Sequence, residues 1–537
     1  MMYDTRGRRR RNAFRNRSCA RRRHLVLLGL GLALAAAAAA SASAQVITIT
    51  SPQQDPFGGF GGVIAPIADL TADGMPDLLI RASHEAVPGQ WYHGQVHHLA
   101  LPGFAPVRVF STPDPAPVTG YTTFGFALAS VADLDGDGAA DLLFGDYLEG
   151  DGETFRSGRV HVFSGAGGAH IRSLAAPEGE LGGYGFGKAL ANLGDHDGDG
   201  LDEFAVGSDG ELSRRVYIFS GNDELPTFIL GQLSTERGFG EALARVPDLD
   251  GDGHADLIVA ARRAVAPELP APNNRLGKVF VYSGATGDEL YWVRSPNPLA
   301  RMDFGWSIAG IEDLDGDGRG DFLAASPVDN LDGGWIEWGQ VHAFSGATGE
   351  AIYTINAPGV FWGGRFGHAI AVTPDLDGDG RQDFVVGAPL TGHPPADGLP
   401  SGCGAAYVYS GATGGLLRRL LAPEPAQNDG FGAVVSAIGQ PPGHPARAVV
   451  LVNLTRRSIV HGFYVCRADA NADGRINSND ISRFLSGWIQ TVGLPPGALG
   501  PPGVHHGDFN GDGVVNSADI SDFLGQWLQS VAAGGCL

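Results

Sequence analysis

The sequence predicts a mainly β protein: a seven-bladed β-propeller of four-stranded antiparallel blades, followed by a small α-helical module. Three observations carry this reading. Glycine occurs 82 times in 537 residues while only 18% of residues are charged, a composition of short strands and tight turns and not of a charge-rich coiled coil. A segment opening on Phe-Gly recurs along the chain in one register. Each recurrence carries strand-like apolar runs punctuated by glycine turns.

The copies start at Phe60, Phe124, Phe186, Phe239, Phe304, Phe366 and Phe431. In the first six, an Asp follows nine residues after the Phe, as in "FGFALASVADLDGDGAADLLF" from Phe124. The seventh copy has lost its acids. After Phe-Gly comes an alternating stretch, then an acidic turn, then an apolar run such as "DLLFGD". A third run follows ("GRVHVFSGAGG", "GKVFVYSGATG", "GQVHAFSGATG"), then a fourth such as "ELYWVRS". One such sheet cannot cover both of its faces, whereas sheets packed radially cover one another and leave short edges. The seventh copy supplies three strands and ends near "IVHGFYV". The strand "VITIT" at Val46–Thr50 has no repeat of its own, so it is expected to complete the seventh blade and close the ring.

The acidic turns have a ligand spacing. Asp133, Asp135, Asp137 and Asp141 occupy positions 1, 3, 5 and 9, with Gly138 at position 6. The set recurs as Asp195, Asp197, Asp199 and Glu203; Asp248, Asp250, Asp252 and Asp256; Asp313, Asp315, Asp317 and Asp321; and Asp375, Asp377, Asp379 and Asp383. Without a cation such clusters would repel. An all-oxygen set suits calcium and not zinc. The first repeat has Asp69, Thr71, Asp73 and Asp77, one carboxylate short, so weaker binding or none is expected there.

The Phe-Gly start and the "DLDGDGxxDLL" core resemble the FG-GAP repeats of integrin α-subunit propellers and related bacterial proteins, over roughly residues 45–465. The resemblance implies a seven-bladed propeller with calcium in the loop between the first and second strands.

Two flanking segments, residues 1–44 and 466–537, differ from the repeats. Residues 1–44 hold ten arginines between Arg6 and Arg23, an apolar run from Leu25 to Ala40, and small residues before Gln45. This describes an export signal, too short in its apolar part for a spanning helix. The mature chain is then expected outside the cytoplasm, as an extracellular, periplasmic or cell-surface protein with no transmembrane segment. Its loss lowers Lys+Arg from 37 to 27 and Asp+Glu from 59 to 58, leaving −31. That balance disfavours nucleic acid as a partner.

From Cys466, "DANADGRINSNDISRFLSGWI" and "DFNGDGVVNSADISDFLGQWL" form a second repeated pair. Asp469, Asn471, Asp473, Asn477 and Asp480, and likewise Asp508, Asn510, Asp512, Asn516 and Asp519, stand at EF-hand positions 1, 3, 5, 9 and 12. Each loop is followed by apolar residues at helical spacing, including Trp488 and Trp527, read as core. This duplicated half EF-hand resembles a dockerin and implies calcium binding. In that family positions 10 and 11 contact a cohesin partner; here they are Ser478 and Asn479, then Ser517 and Ala518, which depart from the frequent Ser-Thr pair. Cys466 and Cys536 bracket the module and are expected to pair, leaving Cys403 as a lone thiol.

No nucleophile elbow, zinc-protease motif or phosphate loop is present. His97 and His98 are read as structural. The acidic and "SGATG" turns should share one propeller face. The opposite face should carry the longer loops with Trp91, Tyr92, His93, Tyr147, Trp335, Trp338, Trp362 and Arg365, a surface suited to a protein or glycan ligand. The expected protein is a monomeric, non-catalytic recognition or adhesion module with an attachment tail that has a cohesin-like partner. The alternative is a polysaccharide-degrading enzyme, a lyase or glycoside hydrolase, docked through that tail.

Overall fold

The computed structural model describes residues 46–465, apart from residue 56 and the segments 86–93, 114–121, 151–156, 178–184, 210–213, 232–235, 266–275, 297–302, 329–338, 359–363, 392–399 and 440–447. Beyond 465 it describes residues 485, 520, 521, 523, 524 and 527. The expected signal (1–44), the loop residues Trp91, Tyr92, His93, Trp335, Trp338 and Trp362, the EF-hand-type ligands and the Cys466–Cys536 pair lie outside the described residues.

Val46–Arg467 forms one compact unit containing seven four-stranded antiparallel sheets. Blade one is Phe60–Ile67, Asp77–Ala82, Gln95–Ala100 and Ala105–Phe110; blade two is Ala127–Val131, Asp141–Asp146, Arg159–Phe163 and His170–Leu174. Blade three is Phe186–Gly194, Glu203–Asp209, Arg214–Ser220 and Phe228–Leu230; blade four is Phe239–Val246, Asp256–Ala261, Lys278–Tyr282 and Glu289–Val293. Blade five is Ile308–Ile311, Asp321–Ser326, Gln340–Ser345 and Ala351–Asn356; blade six is Ala369–Thr373, Asp383–Ala388, Ala405–Tyr409 and Leu416–Leu420. Blade seven is Phe431–Gly439, Ala448–Leu454 and Ile459–Val465, completed by Val46–Thr50. The last strand pairs antiparallel with Ile459–Val465, Val46 opposite Phe463 and Thr50 opposite Ile459. The two ends of the propeller thus share one sheet, as the unpaired "VITIT" strand predicts. Blade seven then abuts blade one: the Asn453 side-chain amide donates to the Gly61 carbonyl at 3.2 Å.

The order of hydrophobicity follows depth in the blade. Second strands such as Asp141–Asp146 and Asp321–Ser326 are buried throughout, which is why they read as continuous apolar runs. Fourth strands such as Ala105–Phe110 are largely exposed. The core is a series of seams between neighbours. Between blades two and three, Val131, Leu143 and Val162 pack with Phe186, Phe204 and Tyr217; between blades four and five, Val246, Ile258 and Val281 pack with Phe304, Phe322 and Phe344.

The Phe-Gly dipeptide has a double cause. All seven Phe side chains are at most 1% exposed, each worth about 1.5–3 kcal/mol of burial. Each packs against an aromatic ring on the third strand of its own blade: Phe60 on His97, Phe124 on His161, Phe186 on Tyr217, Phe239 on Phe280, Phe304 on His342, Phe366 on Tyr407 and Phe431 on His461. The following Gly takes positive φ in every blade, between 72° and 93°. At Gly187 a Cβ would also lie 2.4 Å from the Arg159 carbonyl oxygen of the preceding blade. Left-handed backbone and close approach together leave glycine as the residue that fits.

In the C-terminal unit, Phe523 and Trp527 are buried, consistent with the core reading of that tryptophan.

Candidate metal loops and the opposite face

The acidic turn of blade two brings one oxygen each of Asp133, Asp135, Asp137 and Asp141 within 4.8 Å of one another. Backbone amides aim these groups. Asp133 accepts from the Gly136 and Gly138 N–H groups at 2.7 Å, and Asp137 accepts from the Ala139 N–H at 3.0 Å. Asp141 is fully buried and accepts at both oxygens, from Leu134 N–H at 2.8 Å and Gly165 N–H at 2.9 Å. Ser164 donates to Asp137 at 2.6 Å. Ser164-Gly165 opens the turn between the third and fourth strands, so both turns share one face, as expected. The sequence reading missed that the recurring Ser-Gly is the acidic turn's partner.

Other blades repeat this clamp. Asp256 accepts from Leu249 and Gly284, Asp321 from Leu314 and Gly346, and Asp383 from Leu376 and Gly411. Asp195, Asp197 and Asp199 cluster, as do Asp248 with Asp250 and Asp256, and Asp313 with Asp315 and Asp321. Burial, with neighbouring Asp charges, pushes Asp256 and Asp321 up to about 6 and raises Asp377 and Asp383. The Gly138 N–H and its neighbours hold Asp133 below its ordinary value. In blade three, Glu203 replaces the ninth Asp: His196 N–H bonds one oxygen at 2.6 Å, and the other is buried with no hydrogen-bond partner among the described residues. Adjacent turns are also stitched together. Arg319 reaches Asp248 at 3.4 Å, Arg381 reaches Asp313 at 3.2 Å, and Asp202 accepts from the Ala132 N–H at 2.7 Å.

Blade one departs from this plan. Asp77 accepts from Leu70 N–H at 2.9 Å, but its Oδ2 also lies 3.0 Å from His98 Nε2 on the third strand. Thr71 Oγ1 lies 3.2 Å from Asp77 Oδ1. The missing carboxylate and the added imidazole leave this turn satisfied by its own side chains. His97 and His98 are both fully buried.

At the opposite, Phe-Gly end, the residues that follow each Phe-Gly form a belt. In order these are Gly62, Phe126, Lys188, Glu241, Trp306, His368 and Ala433; Gly62 is exposed, the other six residues are half-buried, and the Glu241 carboxylate itself is buried. Phe126 packs on Tyr147 with ring centroids 4.6 Å apart, and Lys188 lies 5.8 Å from the same ring. Lys188 reaches Glu241 at 3.5 Å, and Glu241 pairs with Arg262. The Arg262 guanidinium sits 4.5 Å above Trp306, and Trp306 meets His368 at 5.3 Å. Burial and then nearby Arg365 lower His368 below its ordinary value. Two of the expected face residues, Tyr147 and Arg365, therefore stand at this end. Phe57 is exposed there as well. The belt was missed in the sequence, although the variable third letter of each Phe-Gly-x marked it.

Residues 239–288 and 366–409 match the FG-GAP repeat family. The two matched stretches lie in blades four and six of the propeller. The chain is similar to integrin alpha-4 of Xenopus laevis, at 35% identity over 150 residues, covering 26% of this chain and 14% of that protein. It is similar to integrin alpha-PS2 of Drosophila melanogaster, at 36% identity over 209 residues, covering 36% and 14%. It is similar to integrin alpha-IIb of Homo sapiens, at 39% identity over 154 residues, covering 26% and 14%. The chain thus spans a small fraction of the length of these relatives. No helix among the described residues is long and apolar enough to cross a membrane.

Proposed function

We propose that this is an exported, non-catalytic recognition or adhesion protein whose FG-GAP propeller binds a protein or glycan at its Phe-Gly end. The belt carries this reading. An invariant Phe-Gly framework holds third residues that differ in every blade, running from aromatic to cationic to anionic. Chemistry that varies on a fixed scaffold is what selective recognition needs.

Calcium in the acidic turns is the second part of the proposal. The donors are hard oxygens converging from one turn, and the orphaned oxygen of Glu203 and the raised ninth-position acids both favour a bound dication. Calcium would fasten the two turns of each blade and leave the belt as the working surface. The dockerin-like tail would attach the molecule to a cohesin-like partner or to the cell surface. The arginine-rich, apolar N-terminus supports export.

Capture from the host's envelope and medium, with and without chelator, tests this, alongside glycan arrays and assays for reducing sugar and unsaturated products. A captured ligand lost on Trp306→Ala, in a variant that keeps the wild-type circular dichroism spectrum, supports the reading. Turnover of a polysaccharide would replace it with the enzymatic alternative.

A further inference from the structure

Blades one and two share a buried pair near the Phe-Gly end. Glu85 Oε2 lies 2.5 Å from His97 Nε2, and Glu149 Oε2 lies 2.7 Å from His161 Nε2. Each histidine packs on the Phe of its own Phe-Gly. The blades differ at the last residue of the second strand, which is Ala82 in blade one and Asp146 in blade two.

Asp146 is fully buried. Its Oδ1 accepts from the Thr123 N–H at 2.7 Å and the Thr123 hydroxyl at 2.9 Å. Its Oδ2 is buried with no hydrogen-bond partner among the described residues. One oxygen of Asp146, one oxygen of Glu149 and one ring nitrogen of His161 lie within 4.8 Å of one another. The other ring nitrogen, His161 Nδ1, is 2.8 Å from Ser173 Oγ, a contact that orients the ring as the outer partners of metal-bound histidines do. Two cations stand nearby: Arg159 Nε is 3.4 Å from Glu149 Oε1, and Arg81 interacts electrostatically with Asp146. The Arg159 contact leaves Glu149 Oε2 on the histidine side.

We propose that Asp146, Glu149 and His161 form a binding site for a zinc-type dication, separate from the acidic turns. Two carboxylates and one imidazole match zinc, which takes nitrogen and oxygen ligands in fourfold sets; calcium prefers six to eight oxygens. A metal on His161 Nε2 leaves the imidazole proton on Nδ1, donated to Ser173 Oγ, and engages the Asp146 oxygen that has no hydrogen-bond partner among the described residues.

The test is zinc titration of the full chain with calcium held in excess, read by calorimetry and by the visible spectrum of the cobalt-substituted protein. Asp146→Ala restores the residue that blade one carries, so its fold should persist by circular dichroism. His161→Phe, which copies Phe280 of blade four, is the second variant. The expected result is a calcium-resistant zinc site weakened at least about tenfold, or 1.4 kcal/mol, by either change, while His97→Gln in blade one leaves it intact. Wild-type protein that takes up no zinc in excess calcium, or folded variants that bind it equally well, would overturn the proposal.

Discussion

The two ends of the propeller are built from the same repeats to opposite rules. At the acidic end, one arrangement recurs: a first Asp held by glycine amides and a ninth acid clamped between two turns. At the Phe-Gly end the framework is equally regular, but the side chains mounted on it change from Phe126 to Lys188 to Glu241 to Trp306. On the proposed reading, regularity at one end stiffens the blades and variety at the other supplies selectivity, while the Val46–Thr50 strand closes the ring. A repeat protein can separate these tasks because each residue position returns to the same height in every blade.

If the acidic end serves stability, removing cations should have the largest effect. A site with ligand at 100 times its Kd contributes about 2.7 kcal/mol, so chelation at several turns should lower the melting temperature far more than any point change at the belt. The gap should widen with pH. In chelated protein Asp256 and Asp321 have folded-state values near 6, above those of the unfolded chain. The folded state then holds more protons, and stability falls as pH rises from about 4 to 6. Calcium-loaded protein keeps these acids ionised and escapes that loss. Superposable melts with and without EDTA at pH 7 would break the comparison.

Next in size is the shared framework. Phe304→Ala removes a fully buried ring that packs on His342 and Phe344. A loss of about 3–5 kcal/mol is expected, measured by denaturant unfolding in saturating calcium. A smaller, pH-dependent effect belongs to His342, which burial lowers to about 4. The folded state keeps this imidazole neutral, so its contribution is present above the unfolded value of about 6.5 and is lost as pH falls toward 4. His342→Phe copies Phe280 of blade four and removes that sensitivity. It strands the Thr354 hydroxyl, which bonds His342 at 2.9 Å, so the variant should be weaker near pH 8 and gain on wild type by up to about 1.4 kcal/mol per pH unit below 6.5. Parallel stability profiles of the two proteins would remove His342 from the account.

The blades, their order, the closing strand and the shared face of the two turns were legible in the sequence, because register and alternation are written in single letters. The packing of Phe on the third-strand aromatic was legible only across copies: His97, His161, Tyr217, Phe280, His342, Tyr407 and His461 differ in size and polarity but are all flat aromatic rings. The belt was hidden for a related reason. Its residues come from different blades, about 45 to 65 positions apart, and only the packing of neighbouring blades brings Lys188 to Glu241 or Arg262 to Trp306. Aromatic residues drew attention to the long loops, whereas Tyr147 is the member of that set found packed into the belt. Glu149 was invisible as a partner of His161 until the second and third strands paired.

The finest test lies within the acidic end, where blade one breaks the rule. Thr71→Asp supplies the missing third-position carboxylate, yet Asp77 is already bonded to His98 and Leu70. The single change should bring no calcium-dependent gain in stability, because Asp77 stays committed to the imidazole. In chelator it should be slightly harmful, because it adds a like charge beside Asp69, Asp73 and Asp77. Blade two carries Val162 where blade one has His98. Thr71→Asp combined with His98→Val therefore frees Asp77 from the imidazole and reproduces the blade-two carboxylate set, with Ala72 still where blade two has Gly136. The pair should gain a calcium-dependent stabilisation that neither change shows alone, an interaction energy readable from a double-mutant cycle with and without calcium. Strict additivity would mean that His98 does not substitute for a cation in this turn, and that the departure of blade one lies in its missing carboxylate alone.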